Sequence, residues 1–211
     1  GITGGNMDSM VNRYTSDRRI RSDDAYTPHG VAGARPDRCV IVYSQRAREA
    51  YKDVPVVIGG IEASLRRIAH YDYWSDSVRR SVLLDAKADL LVFGMGERAA
   101  WTIADRLRAG EPLSELTDVR GTAVVKKNRS EWEPLTRDAS RFVTDGKLVL
   151  LPSFEEAAQD KQAFARMTAL LQKETNAHNG RPLLQAHGDQ AVFLNSPPLP
   201  LSEAEMDGLY A

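Results

Sequence analysis

The sequence predicts an α/β fold with a parallel sheet and flanking helices. Two observations carry this: short apolar runs that end in glycine, and longer segments of helical period that alternate with them, the pattern of βαβ units. Val54–Ile58 is mostly β-branched and ends at Gly59-Gly60, and Leu90–Phe93 ends at Gly94, so both read as strands. Pro55 is tolerated only near the start of its strand, because it has no N–H for the ladder. Thr122–Val125 reads as a third strand.

Between the second and third strands, Ala99, Ala100, Ile103, Ala104 and Leu107 recur at three- and four-residue spacing, and Gly110 stands where a helix C-terminal glycine is expected. Arg38–Lys52 carries two signals. Cys39 to Tyr43 has strand propensity, while Val40, Tyr43, Ala47 and Tyr51 share a helical stripe; helix is preferred because the segment runs unbroken into charged residues and the next strand. Beyond residue 128 the pattern changes. Ser153 with Glu156 is a capping box that opens a helix through Ala157, Phe164, Met167, Leu170 and Leu171, ending near Asn176–Gly180. Leu183–Gln185 and Ala191–Leu194 read as a β-hairpin across His187-Gly188-Asp189. Ser196-Pro197-Pro198-Leu199-Pro200 stiffens the chain before a last helix opened by Ser202 and Glu205. The expected division is therefore 1–128, an α/β domain, and 129–211, a helix, a hairpin and a linker.

Composition excludes several classes. The 211 residues suffice for a buried core, and a net charge of −1 leaves no cation excess for general nucleic-acid or membrane-surface binding. The longest apolar runs, such as Leu148-Val149-Leu150-Leu151, fall far short of a membrane span, and no signal peptide is evident. One cysteine, Cys39, fits a reducing, cytoplasmic compartment and cannot build a structural zinc or iron–sulfur site. The four histidines, His29, His70, His178 and His187, show no metal-ligand spacing, and there is neither a P-loop nor a G-x-S-x-G elbow. The chain lacks an initiator Met and stops inside an expected helix, so an excerpt of a longer protein is expected.

Ligands of open parallel sheets bind outside the carboxyl ends of the strands. Three such ends are glycine-rich here: Gly4 to Ser9, Gly59 to Ser64 and Gly94 to Glu97. The candidate binding residues on that edge are Asn6, Asp8, Gly59, Gly60, Glu62, Ser64, Gly94 and Gly96. Their expected role is shaping and contact, so that Glu62→Ala leaves the fold intact while lowering activity. Gly94-Met95-Gly96-Glu97-Arg98-Ala99 formally matches a dinucleotide fingerprint, but Glu97 would put a carboxylate where a pyrophosphate must sit. Tyr71 to Asp76 and its flanking arginines read either as a stacking surface or as rings closing a core edge with locally paired charges. Arg18 to Gly30, without clear period, reads as a loop covering a site.

The strings Gly5-Asn6-Met7-Asp8-Ser9-Met10-Val11-Asn12, Arg21-Ser22-Asp23-Asp24-Ala25-Tyr26-Thr27-Pro28, Val42-Tyr43-Ser44-Gln45-Arg46 and the run from Ala50 through Gly60-Ile61-Glu62-Ala63-Ser64-Leu65-Arg66-Arg67 to Trp74-Ser75-Asp76 resemble the N-terminal region of YgiQ-type radical-SAM proteins. The resemblance continues through His187-Gly188-Asp189 to Glu205-Met206-Asp207. It implies a Rossmann-like domain of the cobalamin-binding type, lacking its first strand and helix here, ahead of a radical-SAM barrel. It also implies a [4Fe–4S] cluster and S-adenosylmethionine, held by a C-x-x-x-C-x-x-C motif that would follow Ala211, with that barrel as the partner of this domain. The D-x-H-x-x-G pattern of a cobalamin axial ligand does not occur. The alternative function is a non-catalytic corrinoid- or nucleotide-binding or docking module.

Overall fold

The computed structural model describes residues 1–137 and 148–210. Its centre is a seven-stranded mixed sheet made of β1 (Ile2–Thr3), β2 (Val57–Gly59), β5 (Leu90–Val92), β6 (Thr122–Lys126), β9 (Gln190–Leu194), β8 (Leu183–His187) and β7 (Val149–Leu150), in that spatial order. β1, β2 and β5 are parallel neighbours, with Thr3 opposite Gly59 and Ile58 opposite Leu91. β6, β9 and β8 continue antiparallel, and β7 returns parallel to β8. The expected hairpin is present, and its pairing with β6 carries one sheet across position 128. A separate hairpin of β3 (His70–Asp72) and β4 (Ser77–Arg79) occupies the aromatic stretch.

The helices are α1 (Ser9–Arg13), α2 (Cys39–Ala50), α3 (Gly60–Leu65), α4 (Val82–Asp85), α5 (Glu97–Arg108), α6 (Arg129–Arg137), α7 (Phe154–Gln159), α8 (Lys161–Lys173) and α9 (Glu203–Tyr210). Side chains along each central strand alternate between two covered faces. Ile58, Leu91, Ala123, Val192 and Leu194 pack on one side with Val40 and Leu83. Leu90 and Val124 pack on the other with Ala99 and Ile103 of α5. Because both faces are buried, these strands read as unbroken apolar runs.

Three boundaries differ from expectation. β2 starts at Val57, because Pro55 has no N–H and the Val56 N–H donates to Asp89 Oδ2 at 2.7 Å rather than to the ladder. The helix opened by Ser153 has its capping box, yet it breaks at Asp160, whose extended backbone ends α7 while its carboxylate caps α8. The second piece stops at Lys173, short of Asn176. Arg38–Lys52 is helical over Cys39–Ala50, and Ser202 and Glu205 cap α9 reciprocally. Ala211 lies outside the described residues.

Gly60 joins β2 to α3 with φ +81°, and a Cβ there would lie 2.4 Å from Thr3 Oγ1. Both the backbone conformation and the close approach of β1 therefore require glycine. Gly60→Ala is expected to lower stability by about 1–3 kcal/mol. Chemical denaturation checks this, and an unchanged midpoint would contradict the close approach.

Candidate functional site

The parallel register of β1, β2 and β5 sets the three glycine loops side by side on one edge of the sheet. Asn6, Gly60 and Gly94 are exposed there, Gly59, Ser64 and Gly96 are half-buried, and Asp8 and Glu62 are buried. The Gly94 N–H donates to Ser64 Oγ at 3.2 Å, tying the β5 loop to α3. A Cβ on Gly94 would meet Pro198 Cγ at 3.2 Å, so the proline segment of the chain itself lies against this turn. Glu97 begins α5. With Glu97 in the first turn, the fingerprint-like turn sets a carboxylate where a pyrophosphate would have to sit.

Glu62 has a task that its loop position did not reveal. It is 1% exposed, and its carboxylate accepts the Ser9 N–H at 2.9 Å and the Val40 N–H at 3.2 Å. These N–H groups stand in the first turns of α1 and α2, where no intrahelical acceptor exists, so one anion caps two helices. Arg66 Nη1 lies 3.7 Å from Glu62 Oε1 and pairs directly with Asp8. Asp8 in turn caps α1 by accepting from the Met10 and Val11 N–H groups. The expectation that Glu62→Ala spares the fold is therefore revised: the side chain is a buried junction, not an open contact.

Cys39 lies in the same junction, fully buried with Sγ 3.5 Å from Glu62 Oε2, and its N–H donates to Ser9 Oγ. Burial first, and the Glu62 carboxylate second, push its thiol up to about 11. A single protonated thiol does not fit a [4Fe–4S] cluster, which needs three or four thiolates. Among the described residues no group of three or more His, Cys, Asp or Glu side chains is arranged to hold a metal ion.

The loop after α1 is fastened over this edge. Arg35 grips Asp24 through two bonds of 3.1 and 3.2 Å and reaches the Gly4 carbonyl at 3.5 Å. Burial disfavours the Asp24 carboxylate, but bonds from Asn12, the Tyr26 N–H and Arg35 outweigh it and leave its carboxyl below the ordinary range. The Tyr73 hydroxyl donates to the Ser16 carbonyl at 2.6 Å, Arg18 lies over the Tyr73 ring at 4.4 Å, and Trp74 packs against Tyr14. Asp72 pairs with Arg38. The charges of the aromatic stretch pair locally as the second reading has it, but Tyr71 and Tyr73 are exposed and do not close a core edge; Tyr73 and Trp74 pack on the neighbouring loop instead.

A cavity of about 320 Å³ opens at the carboxyl end of β5, walled by Ser64, Arg67, Phe93, Met95, Leu171 and Pro198 among others. Of the eight residues expected at a site, Ser64 and Gly94 reach it. The other wall residues belong to elements far apart in sequence, so no local pattern groups them. Arg67 stood in the conspicuous Arg66-Arg67 pair, which was the available signal.

Removing the junction should be costly. Glu62→Ala is expected to destabilise the protein by about 2–4 kcal/mol, since it leaves two buried helix N–H groups without an acceptor and Asp8 as the remaining anion beside Arg66; a wild-type denaturation midpoint would refute this. Cys39 should resist iodoacetamide in the native protein at pH 8 and react only on unfolding. Its raised pKa means that the unfolded chain loses the thiol proton first, so stability falls as pH rises through the ordinary thiol range toward 11. Equal labelling of native and unfolded protein, followed by mass spectrometry, would disprove the burial.

Comparison with known proteins agrees with the sequence resemblance. A family described as "Radical SAM N-terminal" matches residues 1–211. The chain is 58% identical over 217 residues to a UPF0313 protein of Rhodopseudomonas palustris and 57% identical to one of Bradyrhizobium diazoefficiens. It is 49% identical over 255 residues to the UPF0313 protein YgiQ of Escherichia coli K12. Each match covers 100% of this chain but only 32–34% of the relative, so the chain spans about a third of the length of these curated relatives. No solved structure matches. The chain belongs to the radical SAM N-terminal family.

Proposed function

We propose that this chain is the N-terminal domain of a radical-SAM enzyme whose complete polypeptide cleaves S-adenosylmethionine at a [4Fe–4S] cluster held by residues outside it. In this reading the domain works in a reducing cytoplasm and packs its β1–β2–β5 carboxyl edge against the catalytic barrel. The family match over residues 1–211 supports the enzymatic reading, and an apolar crown on that edge supports the packing surface. Ile61 and Leu65, one turn apart on the outer side of α3, are 50% and 61% exposed, and Met95 in the neighbouring β5 loop is 46% exposed. Grouped exposed apolar side chains beside glycine-rich turns suit a packing surface better than a free one. Glu62, Arg66 and Asp8 support that surface from beneath by holding α1, α2 and α3 together. The domain's own residues therefore shape and brace; they carry no step of the radical chemistry.

The complete protein, purified anaerobically, is expected to contain about four iron and four sulfide per chain and to release 5′-deoxyadenosine from S-adenosylmethionine on reduction. The double variant Ile61→Glu/Leu65→Glu should retain helix content while becoming more sensitive to proteolysis between this domain and the rest. Absence of iron, or of reductive cleavage after cluster reconstitution, would defeat the enzymatic reading. Unchanged proteolysis would defeat the packing surface.

A further inference from the structure

We propose that the cavity at the carboxyl end of β5 binds a small amphipathic monoanion, a carboxylate on a ring or short aliphatic body, with Arg67 as its counter-ion. The volume, about 320 Å³, lies at the lower end of the range of small-molecule sites. Its walls are largely apolar, from Phe93, Met95, Leu171 and Pro198, which suits a body that leaves water on binding.

The polar groups in the wall are spoken for, with one exception. Ser64 Oγ accepts from Gly94, the Asn195 amide donates to the Thr117 carbonyl and Thr122 Oγ1 at 3.0 Å, and the Thr175 hydroxyl donates to the Gln172 carbonyl at 2.8 Å. Glu174 receives the Arg181 N–H at 2.8 Å and its guanidinium at 3.0 Å. Arg67 differs. It donates through Nη1 to the Ser64 carbonyl and lies 5.0 Å from the Phe93 ring centroid, but its Nε–H is sealed from solvent without an acceptor. No carboxylate among the described residues lies within ion-pair distance of it, whereas the adjacent Arg66 is paired with Asp8 and Glu62. Burial lowers the Arg67 pKa and no neighbouring anion opposes that shift. The sealed Nε–H is out of a ligand's reach, but Nη2 has no acceptor among the described residues and is not sealed, so an anion in the cavity would pair with the guanidinium at that end. A monoanion is favoured over a phosphate dianion, because the wall has one uncommitted guanidinium and a second negative charge would be left against apolar carbon.

The cavity opens on the same carboxyl edge that the proposed function packs against the barrel, so the inference rests on that reading for a ligand held between the two, while iron content reports the radical chemistry separately. The test uses the complete protein, with 2-naphthoate as probe and 2-naphthamide as its neutral isostere, followed by calorimetry. One naphthoate should bind per chain, at least tenfold more tightly than the amide. Arg67→Met should weaken it at least tenfold, Arg67→Lys less, and Leu171→Trp, which fills the cavity, should abolish it in protein with wild-type circular dichroism. Should a variant fail to fold, the methyl signal of ¹³C-labelled Met95 in the unaltered protein, assigned through Met95→Leu, must shift with naphthoate and not with the amide. No saturable binding, equal affinity for acid and amide, binding that survives Leu171→Trp, or an unmoved Met95 signal would each overturn the proposal.

Discussion

The architecture depends on one buried anion. Glu62 projects from α3 into the interior, where its two oxygens take N–H groups from the starts of α1 and α2 while Arg66, which it shares with Asp8, lies 3.7 Å away. A carboxylate removed from water is costly unless charge and hydrogen bonds replace its hydration. Here both are supplied, and by elements that the chain must bring together from residues 9, 40 and 66. The result is a fixed relation between three helices and the first parallel strands. Gly4 passes so close that a Cβ would lie 3.0 Å from the Glu62 carboxylate, so the junction also dictates the path of the chain leaving β1.

Everything above the sheet edge rests on that junction. The loop from Thr15 to Arg38 is held by Arg35 and Asp24 on one side and by the β3–β4 hairpin on the other, through Tyr73, Trp74 and the Arg38–Asp72 pair. Its charges serve mainly to fasten it, although the segment has almost no regular structure. The apolar side chains that remain outside, Ile61, Leu65 and Met95, sit on a rigid base, which is what a packing surface requires.

The edge is uneven in its chemistry. Near β1 and β2 it is a closed lattice of paired charges, and near β5 it opens into an apolar hollow with one uncommitted guanidinium. The proline segment after β9 forms part of that hollow by lying on Gly94 and on Gly121, where a Cβ would meet Pro198 at 3.0 Å. A stretch that reads as a stiff connector in sequence is thus a wall in space.

Local signals sufficed for the elements whose causes are local. The β-branched runs, the Ser153 and Ser202 capping boxes, the Gly110 helix end and the hairpin around His187-Gly188-Asp189 all arise from interactions within a few residues, and each was legible in the sequence. So was the alignment of three glycine loops, once β1, β2 and β5 were taken as parallel. Tertiary structure alone decided the antiparallel pairing of β6 with β5 and β9, the break at Asp160 and the inward turn of Glu62. It also decided the meeting of Arg67, Phe93, Leu171 and Pro198 around one cavity. The reason is physical: periodicity reports which side of an element is buried, but a carboxylate's partners and a cavity's walls are chosen by contacts between residues far apart in the chain, as many as 116 positions for the Ala69 N–H bonded to Gln185 Oε1, and no short-range pattern encodes those.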